Sequence, residues 1–306
     1  ALDNNRDLRV AILNVERARA LHRIQAADRL PSIGARAALT RSRVADDVYS
    51  TSVDLADFEL DLFGRVRSLS DAALQSYLAT EEARRSAQLS LIAELANTWL
   101  ALAADQELQR IAQATFANYE AVFKLAEQRK ELGAVSALDV SQARTVMEGA
   151  RADAARFAGQ VAQDRNALAL LVGGPFDAKL LPEQFEPQIS GLQPLPAGLP
   201  ASVLLRRPDV LAAEHRLRAA NANIGAARAA FFPSIRLTAS AGRASGELDN
   251  LFDGGTGLWS FIPSFNVPIF QGGRLRAALG VASADRDIAL AQYERAIQAG
   301  FREAAD

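Results

Sequence analysis

The chain has 306 residues, two histidines and no cysteine. That excludes disulfide frameworks, thiol catalysis and cysteine- or histidine-rich metal sites. With 34 Lys+Arg against 36 Asp+Glu the charge is nearly balanced, which gives no case for a nucleic-acid partner. No segment reaches the ~18 apolar residues of a membrane-spanning helix, and no leader peptide is seen. Ala1-Leu2-Asp3 reads as the inside of one helix and Ala304-Ala305-Asp306 as the inside of another, so a piece of a longer protein is expected.

In chain order, residues 3–29 predict a helix, with Asp3 or Asn4 near its start and Pro31 past its end. Period two then takes over. Ile33, Ala35, Ala37 and Leu39 alternate with Ser32, Gly34, Arg36 and Thr40. After a polar tip at Arg43–Asp47, Val53 and Leu55 face one way, whereas Ala56, Phe58, Leu60 and Leu62 are apolar in the opposite phase. Residues 32–64 therefore predict a β-hairpin with a bulge near Leu55, or a strand leaving its sheet there.

Residues 66–131 contain neither proline nor glycine and predict a helix on the order of 100 Å long. Its apolar residues step by three and four, as at Ile92, Leu95, Trp99 and Leu102. A break at Leu132-Gly133-Ala134-Val135-Ser136 precedes a helix over 137–172, whose seam runs from Val140 through Met147, Phe157 and Val161 to Leu171 at coiled-coil spacing. Asp164 is the one polar member of that seam. So short a break predicts an antiparallel helical hairpin, and Gly173-Gly174-Pro175 ends it.

Pro175, Pro182, Pro187, Pro194, Pro196 and Pro200 mark residues 173–203 as a linker, and Arg207-Pro208-Asp209 opens the next helix. A second hairpin is predicted over 234–269. Ile235, Leu237, Ala239 and Ala241 alternate with Arg236, Thr238 and Ser240, and Asp253-Gly254-Gly255 lies in the connection. Trp259, Phe261, Pro263, Phe265, Val267 and Ile269 share one face, opposite Ser260, Ser264 and Asn266. An aromatic outer face backed by a polar one is the pattern of a transmembrane β-barrel strand, with Trp259, Phe261 and Phe265 toward lipid. Pro263 departs from it, because proline cannot donate to a ladder.

The two hairpins are related. Pro31-Ser32-Ile33 matches Pro233-Ser234-Ile235, and Gly64-Arg65-Val66-Arg67 matches Gly273-Arg274-Leu275-Arg276. A helix–hairpin–helix unit used twice points to duplication: a first repeat at 1–172, the linker at 173–203 and a second repeat at 204–306.

Candidate chemistry is sparse. Gln271-Gly272-Gly273-Arg274 follows a strand and opens a helix, but it lacks the Rossmann spacing and a Walker lysine, so it reads as a tight turn. Asp57, Glu59 and Asp61 alternate, which places all three on one face, a solvated one or a channel lining rather than a catalytic centre. No catalytic set, metal cluster or cofactor loop is found, and no cofactor is expected. Ser136 and Asp139 have the form of a helix-capping box, with Asp in place of the usual Glu.

Several stretches together resemble a known family. They are Phe58-Glu59-Leu60-Asp61-Leu62-Phe63-Gly64-Arg65, Gly133-Ala134-Val135-Ser136-Ala137-Leu138-Asp139, Leu205-Arg206-Arg207-Pro208-Asp209, the run from Ile224 to Ile235, and Pro268-Ile269-Phe270. The chain resembles the TolC-like outer-membrane channels of Gram-negative tripartite efflux pumps, and within them the OprM-type lipoprotein branch. The resemblance implies a mainly α fold with β: long antiparallel coiled-coil helices forming a trimeric α-barrel through the periplasm, and four strands per chain in one shared transmembrane β-barrel. It implies a homotrimer in outer-membrane lipid, partnered by a periplasmic adaptor protein and an inner-membrane efflux transporter. Gly133, Ala134, Val135 and Ser136 would form one of two adaptor-docking tips. Asp139 matches an aspartate that helps hold the closed end shut. The lipid-bearing N-terminal cysteine of that branch and its inner-helix gate acids are not among these residues.

The function so implied is a passive exit duct for drugs or other small toxic molecules, contributing to antibiotic resistance. The alternative is a soluble coiled-coil adaptor or scaffold, which long helical hairpins alone would fit.

Overall fold

A computed structural model describes residues 1–43, 46–182, 203 and 205–305. Most of the predicted 173–203 linker, including Pro187, Pro194, Pro196 and Pro200, lies outside the described residues. So do Val44 and Ala45 of the first hairpin's tip. The fold is mainly helical with one four-stranded antiparallel sheet in the order β1-β2-β3-β4. The elements are α1 (Arg6–Ala27), β1 (Ile33–Thr40), β2 (Val48–Leu60), α2 (Arg65–Glu131), α3 (Ala137–Val172), α4 (Pro208–Ala229), β3 (Ser234–Ser245), β4 (Gly257–Asn266) and α5 (Arg274–Ala305). The order helix–strand–strand–helix thus occurs twice.

The chain forms two compact units. One comprises residues 1–11 and 85–198. Within it α2 and α3 run antiparallel: Leu102 packs with Val161 and Leu168, while farther along α2 the Phe116 ring meets the Arg151 guanidinium, 5.5 Å from its centroid. Trp99 and Leu95 flank that core, and the Trp99 indole N–H donates to the Leu180 carbonyl at 2.9 Å. Helix α1 begins at Arg6, later than Asp3 or Asn4 would suggest. Asn5 supplies the cap instead: its Oδ1 accepts from the Leu8 N–H at 2.9 Å, and its Nδ2 donates to the Leu171 carbonyl at 2.9 Å. Both ends of one buried amide are thereby satisfied. Gly173 ends α3 at φ 79°, and a β-carbon there would overlap the Asn4 backbone.

The second unit comprises residues 12–84 and 199–306. It holds the sheet and the helices that enter and leave it. Against α2, the Arg19 guanidinium and the His22 ring of α1 lie on Tyr77, and His215 Nδ1 of α4 meets Gln75 at 2.7 Å. The start of α4 is tied to the end of α5 by Arg207, bonded to Asp209 at 2.8 Å and to Glu303 at 2.6 Å. Asp209 holds the Arg207 proton more firmly still, and Arg207 in turn keeps the Asp209 carboxyl below the usual carboxylate range. The ladder β2–β3 shifts register between Leu55 and Phe58, and Asp57 stands there at φ 48°. This is the bulge that the change of apolar phase predicts.

Candidate channel wall and docking tip

Residues opposite one another in an antiparallel ladder share a face. The register therefore sorts the sheet. One face carries Ile33 and Ala35 of β1; Val53, Leu55, Phe58 and Leu60 of β2; Ile235, Leu237, Ala239 and Ala241 of β3; and Trp259, Phe261, Pro263 and Phe265 of β4. The bulge is what keeps Phe58 and Leu60 on the side of Leu55. Trp259, Phe261 and Phe265 are 81%, 56% and 66% exposed, with only small residues, Ala241 and Ala239, opposite the first two. The other face carries Arg36, Ser52, Asp54, Arg236, Thr238, Ser240, Ser260 and Ser264. Across it Ser240 and Ser260 share a hydrogen bond of 2.8 Å, and Ser52 donates to Asp54 at 3.0 Å. Leu258 and Ile262 interrupt that polar face. Pro263 is accommodated because β4 is an edge strand of this chain.

The three alternating acids do not share one face, although Asp57 and Asp61 are exposed. The bulge removes Asp57 from the alternation, where it accepts from Arg236 at 2.7 Å. Glu59, its side chain only 12% exposed, takes two hydrogen bonds from Arg65, of 2.8 and 2.6 Å, and lies 3.7 Å from Arg236. Asp61 lies past the strand end and accepts from the Arg67 backbone N–H at 2.7 Å, inside the first turn of α2. The acids are fasteners of the strand-to-helix joint.

At the bend between α2 and α3, Gly133 has φ 71°. The Ala134 N–H reaches back to the Arg129 carbonyl at 2.8 Å and the Gly133 N–H to Lys130 at 2.9 Å, a Schellman closure. Val135 is half-buried; Gly133, Ala134 and Ser136 are exposed. On either side stand two exposed leucines, Leu132 at 84% and Leu138 at 65%. The capping box forms: Ser136 Oγ accepts from the Asp139 N–H at 3.2 Å, and the Asp139 carboxylate accepts from the Ser136 N–H at 2.8 Å and from its hydroxyl at 2.6 Å. The hydroxyl and then the backbone of Ser136 hold the Asp139 carboxyl below its ordinary value. Among the described residues Asp139 bonds only within its own turn.

Two features escape local sequence reading. Gly242 pairs with Ser52 across the β2–β3 ladder, and a β-carbon there would overlap the Thr51 carbonyl oxygen and crowd Ser52. Asp105 of α2 lies beside Asp164, the lone polar residue of the α3 seam; burial, then that neighbouring carboxylate, pushes the Asp105 carboxyl up.

A family model described as outer membrane efflux protein matches residues 1–174 and 199–306. The chain belongs to that family. Among its relatives, the solvent efflux pump outer membrane protein SrpC of Pseudomonas putida is 49% identical over 316 residues, spanning 100% of this chain and 67% of the relative. The outer membrane protein OprJ of Pseudomonas aeruginosa is 48% identical over 319 residues, spanning 100% of this chain and 66% of the relative. The chain thus spans about two thirds of the length of these relatives. Of solved structures, the open-state MtrE outer membrane channel of Neisseria gonorrhoeae superposes with TM-score 0.87 at 41% identity, covering 98% of this chain and 69% of that one. Crystal structures of CusC, described in terms of transmembrane channel formation, give TM-score 0.87 at 40% identity, covering 99% and 71%. An outer membrane efflux protein is a transport component of the Gram-negative outer membrane, reaching into the periplasm. The reading as a soluble adaptor or scaffold is set aside, because these relatives and structures are outer-membrane channels.

Proposed function

We propose that this chain is the duct-forming part of a homotrimeric exit channel, through which a tripartite pump passes small toxic molecules out of the cell. The observation that carries the reading is the two-faced sheet with two free edges, β1 and β4. An apolar face suits lipid, but hydrocarbon does not tolerate unpaired strand edges. Copies of the same chain close those edges, with the apolar face outward and the serine-lined face around a lumen. Relatives named for solvent, toluene and antibiotic efflux support small toxic compounds as the cargo. Transport needs no bond-making group, so the protein acts as a conduit and not as an enzyme.

The bend at Gly133, Ala134, Val135 and Ser136 is the docking tip for a periplasmic adaptor, which links the duct to an inner-membrane transporter. Small residues framed by the exposed Leu132 and Leu138 let a partner helix approach closely. Asp139 has a second role as a gate residue, pairing across helices in the closed duct. The test of the whole reading is the mass of the full-length protein in detergent by light scattering. A trimer is expected; a monomer refutes it.

A further inference from the structure

The repeated Gly-Arg-x-Arg motif is used differently at its two sites. At the first, the acids of the joint satisfy the motif, as Glu59 does for Arg65. Counting back equally from Gly64 and Gly273, the positions of Asp57, Glu59 and Asp61 are taken by Asn266, Pro268 and Phe270. The arginines stay and the acids are gone. Arg274 bonds only to the Gln271 amide oxygen, at 2.6 Å, and among the described residues neither Arg274 nor Arg276 has a carboxylate at ion-pair distance. Two cations in the first turn of α5 oppose the helix dipole, so they ask for an anionic partner.

The surroundings specify that partner. Arg274 and Arg276 line a cavity of about 360 Å³ whose other wall is Phe231, Pro268, Ile269 and Phe270. Ile269 and Phe270 are 93% and 89% exposed. They follow β4, which ends at Asn266, at the end of the strands where the helices leave the sheet. The cavity therefore adjoins the strand ends of the sheet, apolar on the side of β4 and cationic on the helix side.

We infer that this cavity holds the headgroup of an anionic phospholipid, with the phosphate against Arg274 and Arg276 and the first part of the acyl chains against Ile269 and Phe270. The second joint of the chain is a lipid clamp; the first, closed by its own acids, is not. The inference rests on the placement of the apolar sheet face in lipid.

The test reconstitutes the full-length protein into vesicles of equal parts phosphatidylglycerol and phosphatidylcholine, re-extracts it in mild detergent and counts retained lipids by native mass spectrometry. Arg274→Gln with Arg276→Gln should lower the preference for phosphatidylglycerol by about fivefold per arginine, the effect of one cation at an anionic surface. Phe270→Ser should lower total retention without changing that preference. Arg41→Gln, in the connection at the opposite end of the strands, should change neither. An undiminished preference for phosphatidylglycerol in the double variant overturns the inference. So does loss of the trimer with retention unchanged, which would put the arginines against a second copy. Wild-type protein that fails to float with the vesicles overturns the membrane placement itself; floating wild type with an unresponsive double variant overturns the clamp alone.

Discussion

At Gly242 a single hydrogen atom sets how closely two strands meet. A methyl group there collides with backbone, at the Thr51 oxygen, which cannot move aside without breaking the ladder. Gly242→Ala should therefore cost about 1–3 kcal/mol, read as a lower denaturant midpoint of the full-length protein. Gly34→Ala, where the β-carbon meets nothing within 4 Å, should be nearly neutral in the same assay. At Asp139 the sign of the pH effect is fixed by its bonds to Ser136. They lower its pKa from 3.8 in the folded chain, so the cap is at full strength above that value and is lost as pH falls through the lower folded one. The protection factor of the Ser136 amide, whose N–H donates to that carboxylate, should fall only below the ordinary aspartate range.

At the scale of the element, β4 carries the sharpest contrast. Phe261→Arg on the apolar face should destabilise the inserted protein by about 2–4 kcal/mol, whereas Ser260→Arg on the opposite face should cost far less. Equal losses by urea titration in lipid would count against the assignment of faces. These strands were legible because their alternation is local. The bulge was legible too, since the apolar phase changes between Leu55 and Phe58. Helix α3 wrote both its ends into the sequence, in Ser136 with Asp139 and in Gly173. What stayed hidden needed a partner from elsewhere. The partner of Asp57 and Glu59 is not legible in their own strand, since it is β3 that brings Arg236 beside them. Nothing in the local sequence distinguishes Asp105, and only the α2–α3 packing sets it beside Asp164. Register and helix pairing, not residue type, decide such contacts.

For the whole molecule the proposed assembly separates three properties that variants can dissociate. Trimer closure depends on strand edges, docking on the bend, and gating on helix pairing. Ala134→Trp should abolish export while leaving trimer mass and membrane insertion intact, because Ala134 is exposed at the bend and avoids the φ 71° position of Gly133, yet must admit a partner. Asp139→Asn, which keeps a short capping oxygen, should raise opening frequency of the full-length channel in planar bilayers with little change in thermal stability, and Asp139→Ala should raise it further. Unchanged conductance with lower stability would leave the carboxylate only its capping role.

The irregularity at Asp57 bears on how the length of this strand can change. Between the pairs Leu55↔Ala239 and Phe58↔Leu237, β2 uses one residue more than β3. Removing Asp57 would restore regular alternation without turning any side chain to the wrong side, at the loss of one contact to Arg236. Removing one residue from the unbroken stretch between Tyr49 and Leu55 would instead invert everything beyond it. A single-codon deletion should therefore be tolerated at Ala56–Asp57 and almost nowhere else along these four strands, which makes the bulge the place where the strand can shorten by one residue.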